Sequence, residues 1–326
     1  AWVMSSGTDA LLAAMMVLGA GHGDKVLLPG YSFFATAGVV TRLGATPVFV
    51  DIEATHKNIC PDALEAAIKE HPDARFALVV HLYGAGAQMQ RIHEICSAHG
   101  IQVIEDAAQA IGTRIDGRMA GTLGTMAGFS CYPTKNLGGC GDAGFAVAFT
   151  EEHAQRLKQC RNHGQTGVYQ HDFLGGNFRL DAMQAALLRV KLRHVDRFNQ
   201  RRRELALRYA QLFQEHDLLG WLCHPKDVAD RHTYHQYVLD LPDGIRDQVR
   251  AFLQERKIGC GVYYPLPLHL QPCFARYGGQ RGQLPVSEKC AETGLALPIF
   301  PELTEAEQDL VVETLVQARN ALASPA

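Results

Sequence analysis

Short apolar segments alternate with amphipathic segments over the first 150 residues of the chain. This pattern predicts strands at residues 25–29, 46–51, 76–81, 102–105 and 144–149, and helices at 8–18, 61–70 and 89–99. Strands that alternate with helices, with little room for hairpins, predict a mostly parallel sheet covered by helices on both faces. We therefore expect a three-layer αβα domain of the α/β class, with its ligand at the carboxyl ends of the strands.

The second half of the chain has a different pattern. Residues 180–215 contain almost no Gly or Pro and have apolar residues at helical spacing, which predicts one long helix bridging domains or subunits. Beyond it we predict a strand at 237–241, a helix at 248–256, an apolar segment at 261–264 and a final helix at 304–321, which Thr304 and Glu307 begin as a capping box. This pattern indicates a smaller α+β domain.

The expected domains are residues 1–200, a large domain, and residues 201–326, a small C-terminal domain. The chain opens with Ala1-Trp-Val-Met4, a sequence typical of the interior of a strand. We therefore expect an N-terminal segment to precede residue 1 of this numbering.

Composition excludes several classes of protein. The 326 residues are 47% hydrophobic and 20% charged, with a net charge of -3, so there is no basic surface for nucleic acid. No apolar run reaches the roughly 18 residues that span a bilayer, and no signal peptide is visible. The nine cysteines are scattered without a C-x-x-C pair, and the fifteen histidines form no metal-binding motif. We expect reduced thiols, no metal site and a cytoplasmic protein. The run Arg201-Arg-Arg203 is interpreted as a solvated helix face or a subunit contact.

Lys135 is the residue with the most specific chemical surroundings. It lies in a loop among glycine, hydroxyl and aromatic residues, about one supersecondary unit after the strand that ends at Asp106. Pyridoxal phosphate needs a lysine for its aldehyde, an acid for its ring nitrogen, and hydroxyl and amide donors for its phosphate. Taken alone, Lys135 is better interpreted as a solvated surface lysine, and only the motifs around it favour the cofactor site.

Other residues supply the remaining groups of such a site, each with a plainer alternative. Residues 5–9 open a helix, whose free amides and the Thr8 hydroxyl form a phosphate cradle or a simple N-cap. Asp106 either pairs with a protonated ring nitrogen or caps the next segment. Phe33 either stacks on a flat ring or belongs to the core.

The segment 139–144 matches G-x-G-x-x-G, the dinucleotide-binding fingerprint. That motif requires a strand before it and a helix after it, so that the helix N-terminus meets the pyrophosphate. Here the glycines precede a predicted strand, and we reject an NAD site.

Taken together and in order, these motifs resemble the DegT/DnrJ/EryC1/StrS family of pyridoxal-phosphate-dependent sugar-nucleotide aminotransferases, which have the aspartate-aminotransferase fold (fold type I). The resemblance runs from residue 1 to the C-terminal helix. Its motifs occupy residues 5–10, 23–29, 44–51, 81–84, 105–110, 133–138, 161–164, 176–181 and 264–272.

The resemblance implies a role for each matching residue. Lys135 would bond the cofactor aldehyde, and Asp106 would contact the ring nitrogen. Gln109 would lie beside the ring hydroxyl, and Phe33 would lie across the ring face. The phosphate would be held by Gly7, Thr8, Asp9 and Ser130, and by Asn177 of the neighbouring subunit, which implies an obligate homodimer with shared active sites. Candidate substrate contacts are Arg179, Tyr264 and His269.

The implied reaction transfers an amino group from L-glutamate to a nucleotide-linked ketosugar, with a UDP- or dTDP-linked 3-keto hexose as the favoured acceptor. A 4-ketosugar nucleotide or an inosose is the alternative substrate, and a non-catalytic regulator is the alternative class. Relatives that dehydrate sugars typically have His at the lysine position, so Lys135 argues against that reaction. Two positions depart from the family pattern: Ala143, where glycine is common, and Tyr263, where many relatives have His.

Overall fold

Strands and helices alternate from residue 2 to residue 106, and four strands then follow before the next α-helix begins at residue 151. The computed structural model describes residues 1–226 and 231–323. Its α-helices are α1 (Gly7–Val17), α2 (Ala35–Arg42), α3 (Pro61–Glu70), α4 (Met89–Ala98), α5 (Glu151–Cys160), α6 (Ala182–Leu192), α7 (Val195–Glu215), α8 (Arg246–Glu255), α9 (Pro285–Thr293) and α10 (Glu305–Ala323). Its strands are β1 (Trp2–Met4), β2 (Lys25–Pro29), β3 (Thr46–Val50), β4 (Ala74–Val80), β5 (Gln102–Asp106), β6 (Arg114–Ile115), β7 (Arg118–Met119), β8 (Met126–Ser130), β9 (Gly144–Ala148), β10 (Gln165–Gly167), β11 (Gln170–His171), β12 (Tyr237–Asp240) and β13 (Gly294–Leu297).

Seven strands form one sheet in the order β1-β9-β8-β5-β4-β2-β3. The pairs from β3 through β8 are parallel, and β9 runs antiparallel to both of its neighbours, β8 and β1. The prediction of a mostly parallel sheet is therefore confirmed. The carboxyl ends of β2, β4, β5 and β8 lie at one edge of the sheet.

Apolar side chains alternate between the two faces of this sheet, and helices cover both faces. Val26 and Leu28 of β2 pack with α1 and α2 on one face, whereas Leu27 packs with α3 and α4 on the other. Because a parallel sheet is buried on both faces, its strands read as continuous apolar runs in the sequence. This is the three-layer αβα arrangement expected from the sequence.

The C-terminal part has its own apolar core. Buried residues of α7, α8 and α10 pack around the two-stranded antiparallel sheet β12–β13. The capping box is confirmed at the start of α10, where the Thr304 hydroxyl accepts from the Glu307 amide at 3.2 Å and the Glu307 carboxylate accepts from the Thr304 amide at 2.8 Å. The predicted domain boundary at residue 200 falls inside α7, and it stays a prediction.

The prediction of a single long helix at 180–215 is wrong. The chain forms α6 and α7, separated by a turn at Arg193 and His194 in which the His194 amide donates to the Lys191 carbonyl at 2.9 Å. Helix α6 buries no residue within the chain, whereas α7 packs into the C-terminal core. The break contains no helix-breaking residue. It follows from the different surroundings of the two helices, one exposed and one packed into the core. The segment at 261–264 makes only an isolated bridge, from Gly261 to Ala296.

None of the described helices is both long enough and apolar enough to span a membrane.

Candidate active site

The carboxyl edge of the large sheet borders a cavity of about 570 Å³. Strand β5 ends at Asp106 and strand β8 ends at Ser130, so both residues reach this edge. Helix α1 begins beside them, because β1 leads directly into it. Among the predicted site residues, the cavity is lined by Gly7, Thr8, Phe33, Asp106, Gln109, Ser130, Lys135 and Tyr264.

The N-terminus of α1 meets Ser130 at one end of this cavity. Ser6 is the N-cap, and its hydroxyl accepts from the Asp9 amide at 3.0 Å. The first amides of a helix have no acceptor within the helix, so those of Gly7 and Thr8 are available to an anion. A Cβ at Gly7 would lie 2.6 Å from Ser130 Cβ, so only glycine fits here. The structure thus brings the amides, the Thr8 hydroxyl and Ser130 together.

Asp106 is buried at the base of the cavity. Its carboxylate accepts from the Thr36 hydroxyl at 2.9 Å and from the Ala108 amide at 3.2 Å. Burial raises the pKa of this carboxyl, which the two hydrogen bonds and the Lys135 charge partly oppose. A cationic ring nitrogen at this position would stabilise the charged carboxylate. Thr36, which supports this carboxylate, is the second residue of α2, and the sequence analysis did not identify it.

Lys135 lies in the loop after β8, and its amine reaches the same cavity. Burial lowers the pKa of Lys135 to about 8, and the Asp106 carboxylate opposes part of this effect. Nζ lies 3.4 Å from Nε2 of His235, a residue that sequence reasoning also missed. The alternative of a solvated surface lysine therefore does not describe Lys135.

Aromatic and amide groups form the opposite wall. Gln109 accepts from the Tyr83 amide at 2.6 Å and donates to the Tyr264 hydroxyl at 3.0 Å, which fixes the orientation of its side-chain amide. Phe33 is 54% exposed, so it is not a core residue, and its ring centroid lies 6.1 Å from that of Tyr264. Burial raises the pKa of Tyr264, so its hydroxyl stays protonated.

Four predicted site residues lie outside this cavity. Asp9 accepts from the Ser5 hydroxyl at 2.6 Å within the first turn of α1. Asn177 and Arg179 are exposed, and both contact Asn162. The His269 side chain is buried, with Nε2 3.1 Å from the Glu288 carboxylate. His269 therefore does not line the cavity that Lys135 lines.

Arg202 corrects the interpretation of the 201–203 run as a solvated face. Its side chain is buried, and Nη1 donates to the carbonyls of Tyr234, His235 and Ile299. Because two of those carbonyls belong to Tyr234 and His235, Arg202 fixes the backbone that carries the His235 ring. The one sequence signal that could have separated Arg202 from its neighbours is its helical spacing from the buried apolar residues of α7.

A second cavity, also of about 570 Å³, shares part of its lining, including Lys135, with the first. Lys135, His235 and Tyr263 line both cavities. Lys191, Arg202 and Glu302 also line the second cavity, so cations outnumber anions there. The first cavity has room for a flat ring, and the excess of cations around the second suits an anionic molecule.

The two departures from the family pattern leave the site intact. Ala143 does not adopt a positive φ, so no conformation reserved for glycine is needed there. Tyr263 is 37% exposed, and its carbonyl accepts from the hydroxyls of Tyr31, at 2.6 Å, and Tyr83. The segment 139–144 leads into β9 rather than into a helix, which confirms the rejection of a dinucleotide fingerprint.

The groups present fit pyridoxal phosphate. A buried carboxyl, a desolvated amine and a helix N-terminus border one cavity, and these are the partners that the cofactor's ring nitrogen, aldehyde and phosphate need. Among the described residues no group of three or more His, Cys, Asp or Glu side chains is arranged to hold a metal ion.

Comparisons with known proteins identify one family. Residues 1–316 match the family described as the DegT/DnrJ/EryC1/StrS aminotransferase family. A protein of Geobacillus stearothermophilus named pleiotropic regulatory protein is 48% identical over 96% of this chain and 83% of its own length. The UDP-N-acetyl-3-dehydro-alpha-D-glucosamine 3-aminotransferase of Acidithiobacillus ferrooxidans is 41% identical over 96% of this chain and 82% of its own.

Among solved structures, S. venezuelae DesV in complex with a ketimine intermediate superposes with a TM-score of 0.91. It is 38% identical to this chain, and the match covers 97% of this chain and 84% of that one. The superposition confirms the predicted fold over nearly the whole chain.

Proposed function

The chain belongs to the DegT/DnrJ/EryC1/StrS aminotransferase family, and from that premise we propose that it aminates carbon 3 of a nucleotide-linked 3-ketosugar. It is a pyridoxal-phosphate-dependent sugar aminotransferase. The observation that carries the proposal is the desolvated Lys135 amine in one cavity with the buried Asp106 carboxyl and the N-terminus of α1. The Acidithiobacillus relative, named for a 3-dehydro sugar, supports carbon 3.

The described residues would hold the cofactor as follows. Bound pyridoxal phosphate supplies an aldehyde for the travelling amino group and an electron-withdrawing ring. Asp106 would keep the ring nitrogen protonated, and Thr36 orients its carboxylate. The α1 amides, Thr8 and Ser130 would bind the phosphate, Phe33 would cover the ring, and Gln109 would face its hydroxyl. Asp9, through its bond to Ser5, supports the phosphate turn.

Lys135 would move the substrate proton. With a pKa of about 8, a useful fraction of its amine is neutral near neutral pH and can accept a proton from the substrate carbon. The resulting ammonium can then donate that proton in a later step of the amino transfer. Lys135 thus acts first as general base and then as general acid.

The acceptor is tested by incubating the purified protein with L-glutamate and 3-keto or 4-keto sugar nucleotides, UDP- and dTDP-linked. We expect the amino sugar from the 3-keto compounds and 2-oxoglutarate from the donor, detected by mass spectrometry. Product from 4-keto compounds or an inosose alone would contradict carbon 3. Tyr264, which lines the cavity, is the substrate contact that we retain from the sequence; Arg179 and His269 lie outside the cavity of this chain.

A regulatory role is the second candidate, because the Geobacillus relative is named a pleiotropic regulatory protein. A purely regulatory protein would bind the cofactor without turning it over. The visible absorbance of the bound cofactor should therefore disappear when glutamate is added to an aminotransferase and persist in a binding protein.

We also propose a cytoplasmic homodimer. Nine free thiols suit a reducing compartment. Met183, Leu187 and Val190 form an exposed apolar stripe on α6 at helical spacing, and Val168 and Tyr169 are almost fully exposed nearby in sequence. A second copy of the chain would cover such a surface. Asn177, exposed between these segments, would then reach the phosphate of the partner's cofactor.

Mixing two inactive variants tests this shared site. A heterodimer of Lys135→Ala and Asn177→Ala chains has one complete site, with Lys135 from one chain and Asn177 from the other, so activity should reappear after subunit exchange. The second site lacks both residues, which limits recovery to one site of the two. Asn177→Ala alone must be clearly impaired, as expected for a charge-assisted contact.

The matched control mixes Lys135→Ala with Asp106→Asn chains. Both residues line the same cavity of one chain, so each site of that heterodimer lacks one of them and no activity should return. If the Asn177→Ala mixture gains nothing over the sum of its components, Asn177 acts within its own chain.

A further inference from the structure

His235 is the side chain that the Lys135 amine contacts. Nε2 lies 3.4 Å from Nζ, and no other hydrogen bond of Nζ occurs within residues 1–226 and 231–323. The imidazole is 7% exposed, and it lines both cavities together with the lysine. The imidazole therefore lies beside the amine where the two cavities share their lining.

The backbone holds this ring firmly in place. The His235 amide donates to the Tyr83 carbonyl at 2.8 Å, and the His235 carbonyl accepts from the buried Arg202 at 3.3 Å. Tyr83 in turn is held by Gln109 and contacts Tyr263, so the same network fixes the cavity wall. A ring anchored in this way has a fixed position relative to the Lys135 loop.

The charge state of the ring decides which way the hydrogen bond runs. Burial, and then the charges of Lys135 and Arg202, hold the pKa of His235 well below its usual value, so the ring is neutral. A protonated lysine has only donors, so Nε2 must be the accepting nitrogen and Nδ1 must hold the ring proton. Nδ1 is buried without a partner among the described residues, so the only hydrogen bond of this ring is the one to Lys135.

We propose that His235 is a positioning residue for Lys135, whose neutral imidazole accepts a hydrogen bond from the lysine and holds the amine at the junction of the two cavities. This inference rests on the proposed function, in which Lys135 carries the substrate proton. The other ionisable side chains that line the two cavities with the pair are Asp106, Tyr132, Asp142, Lys191, Arg202, Cys260, Tyr263, Tyr264 and Glu302. Asp106 and Arg202 act on the pair through their charge.

The test measures the Lys135 amine itself, in cofactor-free protein. Trace acetylation as a function of pH, read on the Lys135 peptide by mass spectrometry, gives its pKa, expected at about 8 in the unchanged chain. His235→Leu keeps the volume but removes the acceptor. Because that acceptor stabilises the ammonium, the Lys135 pKa should fall by about one pH unit. His235→Gln, whose side-chain oxygen reaches as far as Nε2, should restore it.

A buried histidine of the same segment supplies the control. His232 is 3% exposed and stacks on Tyr234, with ring centroids 3.9 Å apart, but it does not line either cavity. His232→Leu should leave the Lys135 pKa unchanged, whatever it costs in thermal stability. It therefore separates loss of a buried ring from loss of the acceptor.

Turnover of the cofactor-loaded enzyme gives the second readout. We expect His235→Leu to lower kcat between about tenfold and a hundredfold with little change in the KM for glutamate, since a misaimed amine slows proton transfer. An unchanged Lys135 pKa in His235→Leu overturns the proposal, and a raised KM with that unchanged pKa would assign His235 to substrate binding instead. If the unchanged enzyme aminates no ketosugar, the proposed function fails, while the acetylation result still decides the role of His235.

Discussion

We expect Lys135→Ala to lose about a thousandfold or more of the transamination rate. The variant lacks the amine that bonds the cofactor and moves the substrate proton, and a positioned acid–base group alone contributes on the order of 10²–10⁴. Phosphate-site contacts are untouched, so the cofactor should still bind, without the covalent bond that borohydride reduction makes permanent. Steady-state kinetics and mass spectrometry of reduced protein measure the two effects.

The same variant should change how stability depends on pH in cofactor-free protein. The unfolded lysine keeps its proton up to its ordinary pKa of 10.5, whereas the buried lysine releases it at about 8. Between these values the unfolded chain binds more protons, so the stability of the unchanged protein rises with pH. Below about pH 8 the full cost of burying the charge is present, roughly 3 kcal/mol. Lys135→Ala removes this dependence, which thermal melts at pH 7 and pH 10 should show.

Lys69→Ala is the matched control, because Lys69 lies on α3 with its side chain 66% exposed. It should leave both the rate and the pH dependence of melting unchanged. Near-normal transamination by Lys135→Ala would remove the central residue of the proposed function.

Asp106→Asn has the second largest expected effect. An amide of the same shape keeps the contact with Thr36 but holds no negative charge, so the ring nitrogen loses the partner that keeps it protonated. We expect cofactor binding to persist and turnover to fall by roughly 10²–10⁴, the range for a group that tunes proton transfer. Titration with cofactor and single-turnover kinetics separate the two properties.

The effect of Asp106 on the pH dependence of stability should be opposite to that of Lys135. Burial raises the pKa of Asp106, so the cofactor-free folded chain binds its proton more tightly than the unfolded chain does. The charged carboxylate therefore costs stability at neutral pH, and this cost disappears as the pH falls through the raised pKa. Asp106→Asn should melt at or above the temperature of the unchanged protein at pH 7. Asp62→Asn, an exposed carboxylate on α3, should change neither rate nor melting, and unchanged kinetics in Asp106→Asn would place the ring-nitrogen partner elsewhere.

The sequence predicted the elements of the large domain because parallel strands and their covering helices leave strong local signals. Strand β2 contains the continuous apolar run Val26-Leu-Leu28, since both of its faces are buried, and α3 begins at Pro61 as the fixed φ of proline favours. Asp106 and Lys135 were also found from sequence, because a carboxylate at a strand end and a lysine in a glycine-rich loop differ from their surroundings.

Other features depend on contacts between distant segments, which no local pattern records. The break between α6 and α7 follows from the different surroundings of the two helices, and the sequence there contains neither Gly nor Pro. The pairing of His269 with Glu288, outside the cavity that Lys135 lines, is another such contact.

Periodicity and short motifs act over a few neighbouring positions, so the order of residues was enough to predict the αβα architecture and the aminotransferase chemistry and to propose Lys135 and Asp106 as its central residues. The groups that meet at Lys135 come from distant segments, and folding brings them together. His235 lies 100 residues further along the chain, and its imidazole became a partner only when Arg202 and Tyr83 fixed its backbone beside the loop. Burial is likewise a property of the folded chain, and burial is what lowers the Lys135 pKa and raises that of Asp106.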